Sequence, residues 1–226
     1  MKIERDMIIS LLKTTKTGPI SFDLVKKVAR IPSSVAQSII IRLQDNGLLY
    51  LRNNVIHLNT PKRIKLAIRA LQLGADLEEV SSHLDWKEFE TFVSLGFKHN
   101  GYEVRQNFRF KHLGKRWEID ILASKELILV CADCKHWKHG MHRSAMKKIV
   151  DDQIKRSEAL VGYFSCLNER PRWNKQGQPI IFPAIISLGT ARKKFISRVP
   201  IIPVLKLQDF LSQLPAYIDQ LMHLKG

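Results

Sequence analysis

Apolar residues in the first 60 positions recur at helical spacing in three short stretches. Residues 3–13 form the first stretch, Ser21 is a suitable N-cap for the second, and residues 33–46 form the third. Two β-rich runs then flank the pair Asn53 and Asn54, a sequence typical of a tight hairpin turn. The pattern predicts three small helices followed by a hairpin.

This order and these element lengths resemble the winged helix-turn-helix family. The resemblance implies that residues 1–60 form a DNA-binding domain, with the third helix in the major groove and the hairpin near the DNA backbone. A winged helix that binds protein is the alternative. The residues expected at the DNA are Ser34, Gln37, Ser38 and Arg42 on the third helix and Arg52, Asn53 and Asn54 at the hairpin tip.

Residues 61–84 predict a helical connector between two domains. Pro61 suits a first helical turn, Gly74 ends the apolar stripe, and a short acidic segment follows. A linker helix and a part of a dimer interface are both compatible with this segment.

The hydrophobic pattern changes at Asp85, where a second domain, residues 85–226, is predicted to begin. An amphipathic helix is followed by three strand-like runs, and the third run is almost continuously apolar, as in a strand buried on both faces. The order predicts an α/β fold with a mixed sheet flanked by helices. The predicted helices are 85–101, 141–164, 190–196 and 207–224, and the predicted strands are 102–110, 115–123, 126–137, 179–188 and 200–205.

Two charged residues, Asp133 and Lys135, interrupt the buried strand near its end. Charged side chains in such a place are costly unless they are paired or bind a metal. Side chains alternate along a strand, so Asp133 and Lys135 share one face, and Glu118 and Asp120 share a face of the preceding strand. Converging carboxylates and a lysine suit a divalent cation with oxygen ligands, foremost Mg²⁺, with Lys135 near an attacking water. A cluster of salt bridges is the alternative.

The expected hairpin between these two strands leaves a geometric difficulty. A two-residue turn at residues 124–125 would place Asp120 opposite Leu129, four residues short of Asp133. A longer loop or a β-bulge is therefore expected to bring the two carboxylates together.

The set Glu90, Asp120, Asp133, Cys134 and Lys135 resembles the PD-(D/E)xK nuclease superfamily, and most of all its Mrr-type restriction and archaeal Holliday-junction-resolvase branches. The resemblance implies a restriction-endonuclease-like fold in which Glu90, Asp120, Asp133 and the backbone carbonyl of Cys134 hold the metal. It also implies that Lys135 positions or activates the attacking water and stabilises charge on the phosphorane.

This resemblance covers roughly residues 85–210. It implies a polar residue that faces the active site from the helix after the third strand, and Gln153 is the candidate. Two positions are notable against the superfamily pattern. Ile119 stands where proline is common, and Asp133 takes the position where either Asp or Glu is permitted.

A zinc site is the alternative chemistry for the same region. Cys131 and Cys134 have a CxxC spacing, with His136, His139 and His142 nearby. If this run is a strand, the two cysteines face opposite sides and cannot chelate one ion. The histidines are expected either to line a loop near the scissile phosphate or to be solvated.

The net charge of the chain predicts that it binds a polyanionic partner. The 226-residue chain has 37 Lys and Arg against 21 Asp and Glu, a net charge of +16. Residues 1–60 carry nine basic and four acidic side chains, and residues 85–226 carry 24 and 14, so both predicted domains are basic. Ribosomal-type RNA binding and an anionic membrane surface stay open on charge alone.

Composition also narrows the expected location of the protein. No apolar run approaches the ~18 residues that span a bilayer, and the first residues lack the apolar core of a secretory signal. Three cysteines are too few for a disulfide framework. These features predict a cytoplasmic protein without a membrane partner.

Taken with the resemblance, these features predict a Mg²⁺-dependent DNA endonuclease, with Mn²⁺ as a substitute, that hydrolyses phosphodiesters in duplex or branched DNA. The resemblance implies water attack and 5′-phosphate ends, and double-strand cutting favours a homodimer. The alternatives are a non-catalytic DNA-binding regulator on a nuclease scaffold and an RNA-processing factor. The complete set of Glu90, Asp120, Asp133 and Lys135 argues against the first alternative.

Overall fold

A computed structural model describes residues 2–137, 143–166, 179–189 and 194–225 of the chain. The chain divides into two compact units, Met1–Phe89 and Glu90–Gly226.

The first unit opens with three helices and a hairpin, in the order that the hydrophobic pattern predicted, and a short strand before the second helix, which was not predicted, pairs with the hairpin. Ser21 accepts a hydrogen bond from the Leu24 amide at 3.3 Å and caps the second helix. Asn53 and Asn54 adopt φ values of 49° and 60°, which a tight hairpin turn requires. The elements are α1 (Lys2–Thr14), β1 (Ile20–Ser21), α2 (Phe22–Ala29), α3 (Ser33–Asp45), β2 (Tyr50–Arg52) and β3 (Val55–His57), with sheet order β1-β3-β2.

The segment predicted as a connector forms two further helices, α4 (Thr60–Gln72) and α5 (Leu77–Ser82). Asn59 caps α4 by accepting a hydrogen bond from the Lys62 amide at 3.1 Å. The compact unit continues through both helices to Phe89. The domain boundaries at residues 60 and 84 stay predictions.

A buried ion pair joins several segments of the first unit. Arg63 Nε donates to Glu88 Oε1 at 2.7 Å, and the two side chains are only 5% and 2% exposed. The other two guanidinium nitrogens of Arg63 donate to the Leu12 carbonyl, the Thr15 hydroxyl and the His83 carbonyl at 2.6–2.9 Å. Such complete pairing offsets the cost of burying the charges.

The second unit is built on a mixed sheet of seven strands among the described residues, in the order β4-β5-β6-β7-β9-β8, with β10 beside β7. Strands β4, β5 and β6 are antiparallel, whereas β6, β7 and β9 are parallel. The predicted α/β class is confirmed. The elements are α6 (Trp86–His99), which begins before the unit boundary, β4 (Glu103–His112), β5 (Lys115–Lys125), β6 (Ile128–Lys135), α7 (Arg143–Ser165), β7 (Ile180–Ser187), β8 (Phe195–Ile196), β9 (Val199–Pro203), α8 (Leu207–Gln213) and β10 (Leu224–Lys225).

The core of the second unit lies between the sheet and α7. Ala159 and Leu160 of α7 pack with buried residues of four strands, among them Leu129 and Ile181. On β6 the buried run extends from Leu129 to Asp133, which agrees with the prediction of a central strand buried on both faces. This packing holds the end of β6 beside α7.

The turn between β5 and β6 is where the prediction was wrong. It lies at residues 126–127 rather than 124–125, because β5 runs two residues further than expected and β6 begins two residues later, and Glu126 supplies a left-handed φ of 53°. The ladder is continuous to Ile121 opposite Ala132. Neither a long loop nor a bulge is needed to align the carboxylates.

The C-terminal part of the chain also differs from the prediction. Of the predicted helix 190–196, residues 190–193 lie outside the described residues, and Phe195–Ile196 form β8 against β9. The predicted closing helix stops at Gln213 and continues as a 3-10 segment, Leu214–Gln220. Pro215 lacks an amide N–H and cannot continue the α-helical hydrogen bonding.

No helix in the described ranges is long and apolar enough to cross a membrane. His139 and His142, which were expected either to line a loop near the scissile phosphate or to be solvated, lie outside those ranges.

Candidate active site

The β5–β6 register places the two key carboxylates side by side. The last recorded pair is Ile121 opposite Ala132, so the next position in the same register sets Asp120 opposite Asp133. The Cys134 amide donates to Asp120 Oδ2 at 2.8 Å, and the Asp120 carboxylate thus extends the interaction between the strands where the ladder ends. The two carboxylates share one end of the central hairpin.

Strand β4 is distorted at the neighbouring position. Phe108 pairs with Ile119 and Gln106 with Ile121, so Asn107 lies across from Asp120. Asn107 has a φ of 51°, a left-handed conformation that is rare within strands. Local backbone strain of this kind concentrates at functional sites.

Asp133 is buried between two cations. Its Oδ2 lies 2.6 Å from Lys135 Nζ and its Oδ1 lies 2.9 Å from Arg156 Nη1. The Asp133 side chain is 4% exposed, whereas those of Lys135 and Arg156 are 27% and 29% exposed. Oδ2 makes no hydrogen bond of good geometry within the described ranges, so it keeps lone pairs for another partner.

Gln153 joins this cluster from α7 without contacting Asp133 directly. It is fully buried, and its Nε2 donates to the Cys131 carbonyl at 2.7 Å. Its Oε1 accepts a hydrogen bond from Arg156 Nη1 at 2.9 Å, the same nitrogen that donates to Asp133. Gln153 therefore orients the arginine that holds the carboxylate.

Arg156 is the residue of this cluster that sequence reasoning missed as a site residue. It lies one helical turn after Gln153, so the two side chains share a face of α7. That spacing was the available indication. An arginine on a basic helix is usually a solvated side chain, and its contact with Asp133 depends on how α7 packs on the sheet.

Glu90 adds a third carboxyl group to the site, with only 4% of the residue exposed. Burial, followed by the charges of Asp120, Glu118 and Asp133, raises the pKa of Glu90 to about 7, while Lys135 opposes the rise. Glu90 therefore lies within electrostatic reach of the other two carboxylates.

The pKa of Asp120 is also raised by burial and by a neighbouring carboxylate. Burial and the charge of Asp133 raise the pKa of Asp120, and the hydrogen bond from the Cys134 amide opposes that rise. Carboxylates that repel one another in a buried site favour the entry of a cation.

The donor set fits a hard divalent cation, although the side chains do not enclose one. No group of three or more His, Cys, Asp or Glu residues is arranged to hold a metal ion in the described parts of the chain. Asp133 Oδ2, which makes no well-formed hydrogen bond within the described ranges, nonetheless supplies, together with Asp120 and Glu90, the carboxylate oxygens that Mg²⁺ prefers. The carbonyl of Cys134, which the resemblance implies as a further ligand, stays a prediction.

The two cysteines of the alternative zinc site lie in different surroundings. Cys131 packs with Ala159 and Leu160, and burial raises the pKa of its thiol to about 12. Burial and the charge of Asp120 raise the pKa of the Cys134 thiol well above its usual range. A thiol that stays protonated is a poor metal ligand.

The DNA-contact candidates of the first unit have different environments. Ser34, Gln37 and Ser38 on α3 are exposed, as are Arg52, Asn53 and Asn54 at the hairpin. Arg42 Nη2 instead lies 2.7 Å from Glu4 Oε2, and the Asn54 amide donates to Asp23 Oδ2 at 2.6 Å. Both side chains would have to exchange these partners to contact DNA.

A family model matches the part of the chain that contains this site. Paired carboxylates and a lysine at the end of a central strand in a mixed sheet are the arrangement expected of a PD-(D/E)xK nuclease domain. Residues 81–168 match the Mrr catalytic-domain family model, described as a restriction endonuclease. This part of the chain is therefore similar to restriction endonuclease domains of the PD-(D/E)xK type.

Two individual proteins are also similar to the chain. An uncharacterized protein of Archaeoglobus fulgidus is 28% identical over 136 residues, which cover 60% of this chain and 95% of that protein. The crystal structure of protein VC1899 from Vibrio cholerae aligns with a TM-score of 0.42 and 14% identity over 97% of this chain. The chain spans about half, 52%, of that protein.

Proposed function

We propose that the chain is a Mg²⁺-dependent DNA endonuclease, with Mn²⁺ as a substitute. The observation that carries the proposal is the Asp133 carboxylate, which is 4% exposed and lies 2.6 Å from Lys135, beside Asp120. The match of residues 81–168 to a restriction endonuclease family supports nuclease chemistry at this position.

Asp120, Asp133 and Glu90, with the carbonyl of Cys134, would hold the metal. A bound Mg²⁺ would supply Lewis-acid stabilisation of the negative charge that develops on the phosphate. The chain itself fixes Asp120 through the Cys134 amide and fixes Asp133 through Arg156. Both carboxylates are therefore held in place by the protein itself.

Lys135 would act on the attacking water and on the phosphate. Its ammonium group is part-exposed at 27%, so solvent and substrate can reach it, while Asp133 keeps it at the end of β6. A cation in this position orients a water by hydrogen bonding and stabilises the pentavalent transition state. Arg156, held by Gln153, adds a second positive charge beside the same carboxylate.

The first unit would position the enzyme on DNA as a winged helix. Its exposed polar residues on α3 and at the hairpin would contact the groove and the backbone, in line with the net positive charge of residues 1–60. A homodimer would bring two sites to opposite strands of a duplex, and branched DNA is the other substrate class to compare.

The proposal is tested by cleavage of plasmid, junction and flap DNA in Mg²⁺, Mn²⁺ and EDTA. Wild type is expected to cut at least one substrate in either metal and none in EDTA. Asp120→Asn is expected to lose both cleavage and tight Mg²⁺ binding, because a neutral amide is a weak ligand for a hard cation. Asp209→Asn, an exposed carboxylate of the same unit, is the matched control and is expected to cut normally.

Lys135→Ala separates catalysis from metal binding. It is expected to lose cleavage but to bind Mg²⁺ as well as wild type or better, since removal of a nearby cation reduces repulsion. Wild-type protein that binds DNA and cuts none of the substrates would favour a non-catalytic regulator. Preferential cleavage of RNA would favour an RNA-processing factor.

A further inference from the structure

Basic residues cluster at the tip of the β4–β5 hairpin, and their mutual repulsion destabilises the hairpin. Lys111 lies directly opposite Arg116, and His112 lies directly opposite Lys115. Like charges at facing positions of an antiparallel pair are destabilising. Neither Lys111 nor Arg116 forms an ion pair within the described ranges.

The turn at this tip is also unfavourable for folding. Leu113 and Gly114 have φ values of 47° and 76°, so both central residues adopt left-handed conformations. Asn-Gly is the sequence that suits such a turn. A leucine in the left-handed backbone conformation costs about 1 kcal/mol of stability. Leu113 is 90% exposed and gains almost nothing from burial in return. An apolar side chain placed in this way indicates a binding role.

The hairpin is nonetheless held rigidly by α7. A Cβ atom added at Gly162 would meet the His112 imidazole at 2.5 Å, so the glycine allows the hairpin to lie close against the helix. Glycine within a helix costs about 1 kcal/mol relative to alanine. Phe108 and Phe110 further pack on Tyr163, with ring centroids 6.4 and 5.2 Å apart. The tip is therefore a fixed projection.

The tip also lies at a suitable distance from the candidate active site for a second contact with DNA. Strand β5 extends five residues from Lys115 to Asp120, which corresponds to about 17 Å at ~3.4 Å per residue. Phosphates along one DNA strand advance by about 3.4 Å per base pair. The separation therefore corresponds to about five base pairs, or half a turn of the duplex.

We propose that this hairpin tip, residues 111–116, is a DNA-binding wedge about half a turn from the cleaved phosphate. Lys111, Lys115 and Arg116 bind phosphates, and Leu113 inserts between base pairs. The position relative to the cut rests on the proposed nuclease function, whereas the DNA contact does not. Phosphates remove the like-charge repulsion, and an opened base step buries the exposed leucine.

The charge contribution is tested on the full-length protein with Lys111→Gln/Arg116→Gln. Binding to a fluorescent duplex of about three turns is measured by anisotropy in EDTA, from about 50 to 200 mM salt. The affinity is expected to fall roughly 10- to 100-fold, and the slope of log K against log salt is expected to fall by about two. The variant is expected to melt no lower than wild type, because the substitutions relieve repulsion.

Lys98→Gln/Lys206→Gln removes the same charge from two other exposed positions of this unit and is the matched control. An equal loss of affinity in the control and the hairpin variant would overturn the proposal, as would DNA binding unchanged by the hairpin substitutions. Failure of wild type to bind duplex DNA at low salt would overturn it as well.

The wedge is tested with Leu113→Asn, which supplies the preferred turn residue. This variant is expected to be at least as stable as wild type, yet to bind DNA about 3- to 10-fold more weakly with an unchanged salt slope. Fluorescence of 2-aminopurine in the duplex, which rises on unstacking, is expected to increase with wild type and not with Leu113→Asn. Equal affinity and equal fluorescence for the two proteins would contradict insertion. Because these measurements are made in EDTA, a protein that cuts nothing can still support the wedge, and a competent nuclease can still refute it.

Discussion

The two units each bury a cluster of charges, and the clusters differ in how completely they are paired. In the first unit, Arg63 and Glu88 are 5% and 2% exposed, and the donors of the guanidinium find acceptors in the surrounding segments. In the second unit, Asp133 keeps an oxygen without a well-formed hydrogen bond, and Asp120 and Glu90 repel it.

This difference separates a structural ion pair from a reactive site. Complete pairing leaves little capacity for a ligand, whereas incomplete pairing leaves lone pairs and excess negative charge for a cation. Substitutions in the first cluster should therefore affect the free energy of unfolding, and substitutions in the second should affect cleavage.

The largest expected effect is the loss of DNA cleavage in the Asp133→Asn variant. The substitution removes the charge that we propose to bind the metal, so cleavage is expected to fall by at least about a thousand-fold, or ~4 kcal/mol in transition-state free energy. The free energy of unfolding of the metal-free protein is expected to change by less than about 1 kcal/mol, because loss of repulsion offsets loss of two part-exposed ion pairs. Cleavage rates and urea unfolding test both statements. A large drop in stability with normal cleavage would identify a structural ion pair.

The second-largest effect is expected on stability, for Arg63→Met. Loss of the guanidinium leaves Glu88 buried without its partner, and a decrease of about 3–5 kcal/mol in unfolding free energy is expected. Urea unfolding of the full chain measures it. The double variant Arg63→Met/Glu88→Leu should recover part of the loss, and Arg109→Met, from an exposed ion pair, is the control that should change little. Similar losses for Arg63→Met and Arg109→Met would contradict the comparison.

For the second cluster, the sequence predicted which charged side chains share a face better than it predicted their other contacts. Alternation along β6 was sufficient to put Asp133 and Lys135 on one face, and the two side chains meet at 2.6 Å. The β5–β6 turn was misplaced because neither Glu126 nor Leu127 is a residue type that favours a tight turn, so the hairpin pattern gave no indication of its position.

Contacts distant in sequence were outside the reach of pattern reasoning. The contact between Arg156 and Asp133 depends on the packing of α7 against β6, which the helical period of α7 does not specify. The closing helix was predicted too long because apolar residues continue at helical spacing past Pro215, where the backbone hydrogen bonding changes.

A third effect concerns pH and is smaller. The pKa of Glu90 is raised to about 7 from an ordinary value near 4.5, so the folded metal-free protein binds more protons than the unfolded chain between these pH values. Stability is therefore expected to fall as pH rises through this window, by up to about 3 kcal/mol. Thermal melts in EDTA at several pH values measure the slope, and Glu90→Gln should reduce it. An unchanged slope in Glu90→Gln would rule out this carboxyl as its source.

The smallest effect is expected for Gln153→Met, which probes how Arg156 is held. The variant loses the hydrogen bond that Gln153 donates to the Cys131 carbonyl and the one that it accepts from Arg156. The free energy of unfolding is therefore expected to decrease by about 1–2 kcal/mol. Cleavage should fall about tenfold, with DNA affinity unchanged. Gln153→Glu, which keeps an acceptor for Arg156, should retain more activity than Gln153→Met at equal stability. If both variants lose activity only in proportion to stability, Gln153 has a purely structural role.

The edge position of strand β4 also affects how copies of the chain can assemble. It forms one edge of the main sheet, with exposed Arg109 and Lys111 and a left-handed Asn107 in its middle. Charged side chains and a break in the extended backbone prevent an edge strand from pairing with a strand of another chain. A dimer formed by joining two sheets along this edge would bring these cations against their own copies. The β4 edge thus resists sheet-extending aggregation, and a dimer interface is expected on another surface.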